Sequence, residues 1–221
     1  MDLNEAMRLR HSVRAYTEKP IAPEAVSRLQ AAIAAANAES GLHIQLVTDE
    51  PRAFDSFMAR YGKFSGVRNY LALVGKKGPK LEEACGYYGE KLVLLAQQLG
   101  LNTCWVGMTF KKIPSAFTVA AGEKLVIVIA LGYGAMQGVS HKVKSPTEVS
   151  NVAESSPAWF KSAVDAALLA PTAVNQQKFS FELSGNAVHA KAGRGFFSKV
   201  DLGIAKCHFE IGAAGAKFTW A

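Results

Sequence analysis

The sequence predicts an α+β fold: central, mainly antiparallel sheets flanked by helices, duplicated within one chain. Three observations predict it. Apolar strand-like runs, "LHIQLVT" (42–48), "NYLALVGK" (69–76) and "KLVIVIALGYG" (124–134), are separated by segments with apolar residues at helical spacing. After residue 150 the same order of helix and strand signals begins again. The chain also matches itself when displaced. An offset of 135 sets Leu29, Ile33 and Leu46 against Val164, Leu168 and Phe181, and one of 115 sets "LGLNTCW" (99–105) against "AGAKFTW" (214–220). The offsets differ by 20, so the second copy lacks a stretch corresponding to part of 49–86. Two such halves, 1–150 and 151–221, are what fusion of a homodimer leaves behind: a monomeric pseudo-dimer whose symmetric interface is internal.

Each element has a local cause. Asp2, followed three residues later by Glu5, reads as a capping box for a short helix carrying Leu3, Ala6, Met7 and Arg10. Pro23 opens a second helix that buries Val26, Leu29, Ala32, Ile33 and Ala36. A long helix sets Leu81, Cys85, Tyr88, Leu92, Leu95 and Leu99 on one face and stops at Gly100. The run 124–134 is apolar throughout, as expected of a central strand covered on both faces. In the second half, Ser156-Pro157 starts a helix with Phe160, Val164, Ala167 and Leu168 inward. "KFSFELSG" (178–185) and "AVHAKAG" (187–193) read as paired strands. Asp201 opens a last helix through Ile204, Cys207, His208 and Ile211, ended by Gly215.

Composition narrows the class. With 221 residues, 49% hydrophobic and 19% charged, the chain has the makings of a globular core. Its net charge of +7 is not interleaved with aromatics, so a polyanionic small molecule is a better partner than nucleic acid. Cys85, Cys104 and Cys207 are far apart and odd in number, which speaks against a disulfide framework or structural zinc. Asp2, Glu5 and Arg8 do not form a signal peptide, and 125–131 is too short to span a bilayer. A soluble, reduced, cytoplasmic protein with no membrane partner is expected.

The residues that invite chemistry lie in "RLRHSVRAYTEKPI" (8–21). If 10–14 is extended, Arg10, Ser12 and Arg14 point one way and present two guanidiniums and a hydroxyl, a set suited to phosphate or a polarised carbonyl. A solvated charged edge is the alternative. The halves differ here: offset 135 places Ser145, Thr147 and Val149 opposite that set, so only one of two ancestral sites keeps its arginines. Other candidates fall away. "GYGAMQG" (132–138) has no following helix for a dinucleotide loop, and "GKFS" (62–65) lacks the upstream glycine of a P-loop. The five histidines have no metal-ligand spacing, and His208 reads as a packed core residue. Cys104, Trp105 and Trp220 read as core.

These segments resemble the nitroreductase family of FMN-dependent oxidoreductases. Arg10, His11, Ser12, Arg14 and Tyr16 match its N-terminal run. "AQQLGLNTCWVGMT" (96–109), "IALGYGAMQGVSHKVKSPTEV" (129–149) and "ALLAPTAVNQQKFSF" (167–181) match three further segments, covering nearly the whole chain. The last of these lies in the second half, as in the branch where one chain mimics the dimer and holds one flavin. The resemblance implies that Arg10 and Ser12 contact the FMN phosphate and ribityl chain, with His11 contributing mostly backbone. It places Arg14 by the flavin N1 and C2 carbonyl as an electrostatic catalytic residue, with no acid–base side chain assigned. Lys142 and Lys144 complete the phosphate clamp, Val106 and Gly107 present backbone near N5 and O4, and Lys63 is an additional ribityl or O2 contact. Pro171, Thr172, Ala173, Asn175 and Gln177 close over the ring.

The implied reaction is a ping-pong one: NADPH or NADH reduces the flavin, leaves, and a nitroaromatic, quinone or enone acceptor takes its place. Two other readings stay open. One is a flavin-handling, storing or degrading protein of the same fold; the other is a non-catalytic binding module.

Overall fold

The computed structural model describes residues 1–221. The chain forms α1 (Leu3–Leu9), α2 (Pro23–Ser40), β1 (Gln45–Val47), α3 (Phe57–Tyr61), β2 (Asn69–Lys76), α4 (Leu81–Gln98), β3 (Asn102–Val106) and β4 (Glu123–Gly132). It continues with α5 (Pro146–Val149), α6 (Ala158–Leu168), β5 (Phe179–Ser184), β6 (Ala187–Ala192), α7 (Ser198–Gly212) and β7 (Thr219–Trp220). These make two compact units. One comprises Leu9–Leu81 and Leu92–Ser140, the other Met1–Arg8, Glu82–Lys91 and His141–Ala221. The division cuts through α4 and differs from a simple split at 150: each part of the helix is assigned by its packing partners, not its sequence position.

In the first unit the strands run β1-β2-β4-β3, all antiparallel, with β4 interior as its apolar sequence requires. Tyr70, Ala72, Val74, Cys104, Val106, Val128 and Ala130 pack on one face with Phe54, Phe64 and Phe117. On the other face Leu131 meets Ala25 and Leu29 of α2 and Ala96 of α4. Ala25, not Val26 or Ala32, completes the buried stripe of α2 with Leu29, Ile33 and Ala36. β1 is shorter than the 42–48 run. The assigned ladder covers Gln45–Val47, although His43 N still donates to Val74 O of β2 (2.8 Å), while the Asn37 amide takes both backbone groups of the intervening Ile44 (2.8 and 2.9 Å).

The second unit pairs β5 with β6 antiparallel and β6 with β7 parallel. Phe209 centres its core, with ring centroids 4.6 Å from Phe181, 5.3 Å from Trp220, 5.6 Å from Phe218 and 5.9 Å from Phe160. α7 begins at Ser198, three residues before the expected Asp201, because Phe197 turns at φ +55° and the Asp201 carboxylate is engaged elsewhere. α5 and β7 were not anticipated. α5 is a single turn closed by a Ser145/Glu148 capping box, too short to show a period.

The 82–91 part of α4 crosses α7 at two glycines. A Cβ on Gly86 would lie 2.0 Å from the Val200 carbonyl oxygen and 3.0 Å from Ile204 N. One on Gly203 would lie 2.0 Å from the Glu83 oxygen and 2.7 Å from Tyr87 N. Adding 117 to 83, 86 and 87 gives 200, 203 and 204, so each contact recurs with its partners exchanged. That is the form of an isologous contact. Gly100 and Gly215, both left-handed at φ +74° and +80°, follow the two helices at the 115 offset. Because the obstacle is backbone, Gly203→Ala is expected to force the helices apart and cost at least about 2 kcal/mol, roughly 4–8 °C in thermal midpoint. Gly78→Ala, whose Cβ would have only one neighbour, at 4.0 Å, serves as the control in the same melts.

Candidate functional site

The 10–16 run leaves α1 as extended chain and is threaded into the first unit by backbone bonds. Val13 N donates to Thr103 O (3.0 Å), Ser65 N to Arg14 O (3.0 Å) and Tyr16 N to Ser65 O (3.0 Å). Ala135 N donates to Ala15 O at 2.9 Å. The glycines of "GYGAMQG" serve this threading. A Cβ on Gly134 would come within 2.9 Å of Val13, and one on Gly138 (φ +72°) within 2.9 Å of the Ser12 carbonyl oxygen.

Val13 and Tyr16 enter the core cluster that also holds Cys104, so the run does not alternate strictly between two faces, and Arg10, Ser12 and Arg14 all influence the Cys104 thiol. Burial pushes this thiol up; Arg14, a hydrogen bond from Ser12 and Arg10 pull it back. A thiol so buried is a packing group, consistent with its reading from sequence. The two arginines differ in environment. Arg10 is only 3% exposed, whereas Arg14 is open to solvent with its guanidinium 5.9 Å from the Phe64 ring centroid. Lys63, at φ +60° after α3, is two residues from Ser65, whose N–H donates to Arg14 O. Val106 ends β3, buried, and Gly107 follows it. Next to this run is a cleft of about 340 Å³ lined by Glu18, Phe54, Arg60, Phe64 and Arg68.

The second unit gathers the other expected residues. Pro171 is buried, and the loop after it, Thr172–Gln177, is tied to the 142–144 turn. Asn175 Nδ2 and Gln177 Nε2 both donate to Lys142 O (2.9 and 2.8 Å). Lys144 donates its backbone N–H to Gln177 Oε1 (2.9 Å) and its Nζ to Gln177 O (3.1 Å). Gln177 N donates to Thr172 Oγ1 at 3.1 Å. One proton of the Lys144 ammonium is thus used to hold the loop, whereas Lys142 is exposed.

Two residues that sequence reasoning missed as site residues support this loop. Asp201 accepts Ala173 N (3.0 Å) and Gln176 Nε2 (2.7 Å). Burial pushes its carboxyl up to about 6, against the pull of those two hydrogen bonds. The folded value lies above the ordinary one, so the group favours folding most in acid. That contribution is lost as pH rises to about 6, and above it the buried carboxylate is a net cost. The only signal in the sequence was an aspartate near a helix start, which reads as a cap.

The family model described as that of the TM nitroreductases matches residues 2–213. No curated protein sequence matches the chain. A Thermotoga maritima protein described as a nitroreductase superposes with a TM-score of 0.69 at 22% identity, over 96% of this chain and 83% of that one. A Desulfovibrio desulfuricans protein, described as a nitroreductase in complex with FMN, gives 0.54 at 23% identity, over 71% of this chain and 99% of its own. One from Bacteroides thetaiotaomicron, described as an NADH dehydrogenase/NAD(P)H nitroreductase, gives 0.52 at 18%, over 67% and 96%. At these identities the structural likeness is one of fold, and it agrees with the α+β, antiparallel architecture described above. With the family model spanning 2–213 of 221 residues, the chain belongs to the nitroreductase family.

Proposed function

We propose that the chain is a flavin-dependent oxidoreductase that binds one FMN, accepts electrons from NADPH or NADH, and passes them to an electron-poor small molecule. The observation that carries this reading is the 10–14 run, which supplies a buried guanidinium (Arg10), a half-buried hydroxyl (Ser12) and a solvent-open guanidinium (Arg14) within five residues. This donor set fits FMN: it is wholly cationic or hydrogen-bonding, and phosphate is dianionic near neutral pH. Arg10, Ser12 and the His11 backbone would hold the phosphate and ribityl chain, with Lys142 and Lys144 completing the phosphate clamp and Lys63 as a further ribityl or O2 contact. Arg14 would stand by N1 and the C2 carbonyl, and Val106 and Gly107 would offer backbone at N5 and O4. Pro171, Thr172, Ala173, Asn175 and Gln177 would exclude water from the ring.

When bound, FMN supplies the hydride and electron chemistry, so the protein needs no acid–base pair of its own. The chain's part is to hold the phosphate, place positive charge where the reduced ring becomes negative, and keep water out. The exchanged contacts at Gly86 and Gly203 support an internally duplicated chain, a pseudo-dimer.

A visible absorption spectrum with added FMN, then under anaerobic NADPH, tests the proposal. Two flavin bands at one FMN per chain, bleached by NADPH, are expected. Bands that resist both NADPH and NADH would move the assignment to flavin storage or breakdown. No bands would sink the reading of Arg10, Ser12 and Arg14.

A further inference from the structure

The loop 172–177 holds three of its six residues in a left-handed backbone. Val174, Asn175 and Gln177 lie at φ +47°, +55° and +44°, in the left-handed region that only glycine, and to a lesser degree asparagine, enters easily. Such strain persists only where the surroundings over-determine it, and it collects at sites that meet ligands. Lys142 O, Lys144 and Thr172 hold Asn175 and Gln177. Asp201 holds the preceding residues, Ala173 through its backbone N–H and Gln176 through its amide.

Gln176 is seated with care. Its amide nitrogen also donates to Phe196 O at 2.8 Å, so both its protons are used. A Cβ on Gly195 would come within 2.3 Å of its Oε1, so the socket needs that glycine. Asp201 itself is only 3% exposed and lies inside α7, so it does not cap the helix, the usual task of an aspartate near a helix start.

Resting on the flavin reading above, we infer that Asp201, acting through Gln176 and the Ala173 N–H, is a positioning residue. Its carboxylate locks the 172–177 loop in the shape that meets the flavin, and so sets how tightly FMN is retained. A buried carboxylate that costs stability at neutral pH is the kind of group an amide would replace if stability alone mattered.

The test compares wild type with Asp201→Asn, Asp201→Ala and Gln176→Ala at pH 8. Three quantities are read: the thermal midpoint of the apoprotein, amide exchange across 173–177, and the FMN affinity and dissociation rate followed by flavin fluorescence. Asp201→Asn is expected to keep or raise the midpoint. Exchange should quicken and FMN affinity fall about tenfold, the size expected for losing a charge-assisted hydrogen bond, mainly through faster dissociation. Gln176→Ala should move exchange and affinity the same way with a modest fall in midpoint, since the buried Asp201 carboxylate loses one of its two bonds but keeps that from Ala173 N, so a folding failure at 201 does not remove the test. A purely structural Asp201 would instead lower midpoint and affinity together. If exchange and FMN affinity are both unchanged in Asp201→Asn and Gln176→Ala, the positioning role is overturned while the flavin reading stands. If wild type takes up no FMN, the flavin reading and this role toward it both fail, and exchange alone decides whether Asp201 holds the loop.

Discussion

Replacing Arg10 with alanine is expected to leave the purified protein colourless and to weaken FMN binding about a hundredfold, the loss of one or two charge-assisted hydrogen bonds. The same change at Arg14 should cost less binding. Both guanidiniums come from one short run, but Arg10 is 3% exposed and Arg14 is open to water. A buried cation acts on a phosphate through a poorly screened medium, and an exposed one acts through water and salt. Arg10→Lys should recover part of the affinity, since charge returns without the planar fork. Titration of apoprotein with FMN at two salt concentrations separates the cases. The Arg14→Ala deficit should shrink in high salt and the Arg10→Ala deficit should persist. Equal, salt-sensitive losses at both positions would show that Arg10 does not act from its buried position.

The largest stability effect is expected at His208. Its Nε2 lies 2.9 Å from Glu90 Oε1 and its Nδ1 3.1 Å from Ala166 O, with both the His208 and Glu90 side chains fully buried. The carbonyl can only accept, so Nδ1 carries hydrogen; a further proton must lie between Nε2 and the carboxyl. His208→Ala removes the imidazole from a dry carboxyl and is expected to cost about 3–5 kcal/mol, roughly 10 °C in thermal midpoint. Glu90→Gln should cost only about 1 kcal/mol, because the amide can donate to Nε2 while Nδ1 keeps its bond to Ala166. Urea melts of the two variants check this. A His208→Ala loss no larger than that of Glu90→Gln would mean that the pair contributes nothing beyond packing.

Much of this arrangement could be read along the chain. The strand at 69–76 was legible from its strand-like run and forms over those bounds, although it is buried continuously in the sheet interior rather than alternating. Pro23 and the Ser156-Pro157 step announced α2 and α6 because proline at a helix start acts locally. Other features had no local signal. The two bonds that Asn37 makes from the preceding helix to the backbone of Ile44 are one. Asp201 could pass for a cap because nothing near it in sequence reveals that its carboxylate is taken by Ala173 and Gln176, 28 and 25 residues earlier.

The sequence by itself determined the elements, the family resemblance and the kinds of charge available, because periodicity, capping and turn chemistry act over a few residues. Only the tertiary structure decided which of two arginines is buried, that α4 is shared between two packing units, and that the 172–177 loop is held strained by a distant aspartate. The physical reason is the same in each case. Burial and long-range hydrogen bonding depend on what packs against a residue, and the packing partners are supplied by segments tens of residues away.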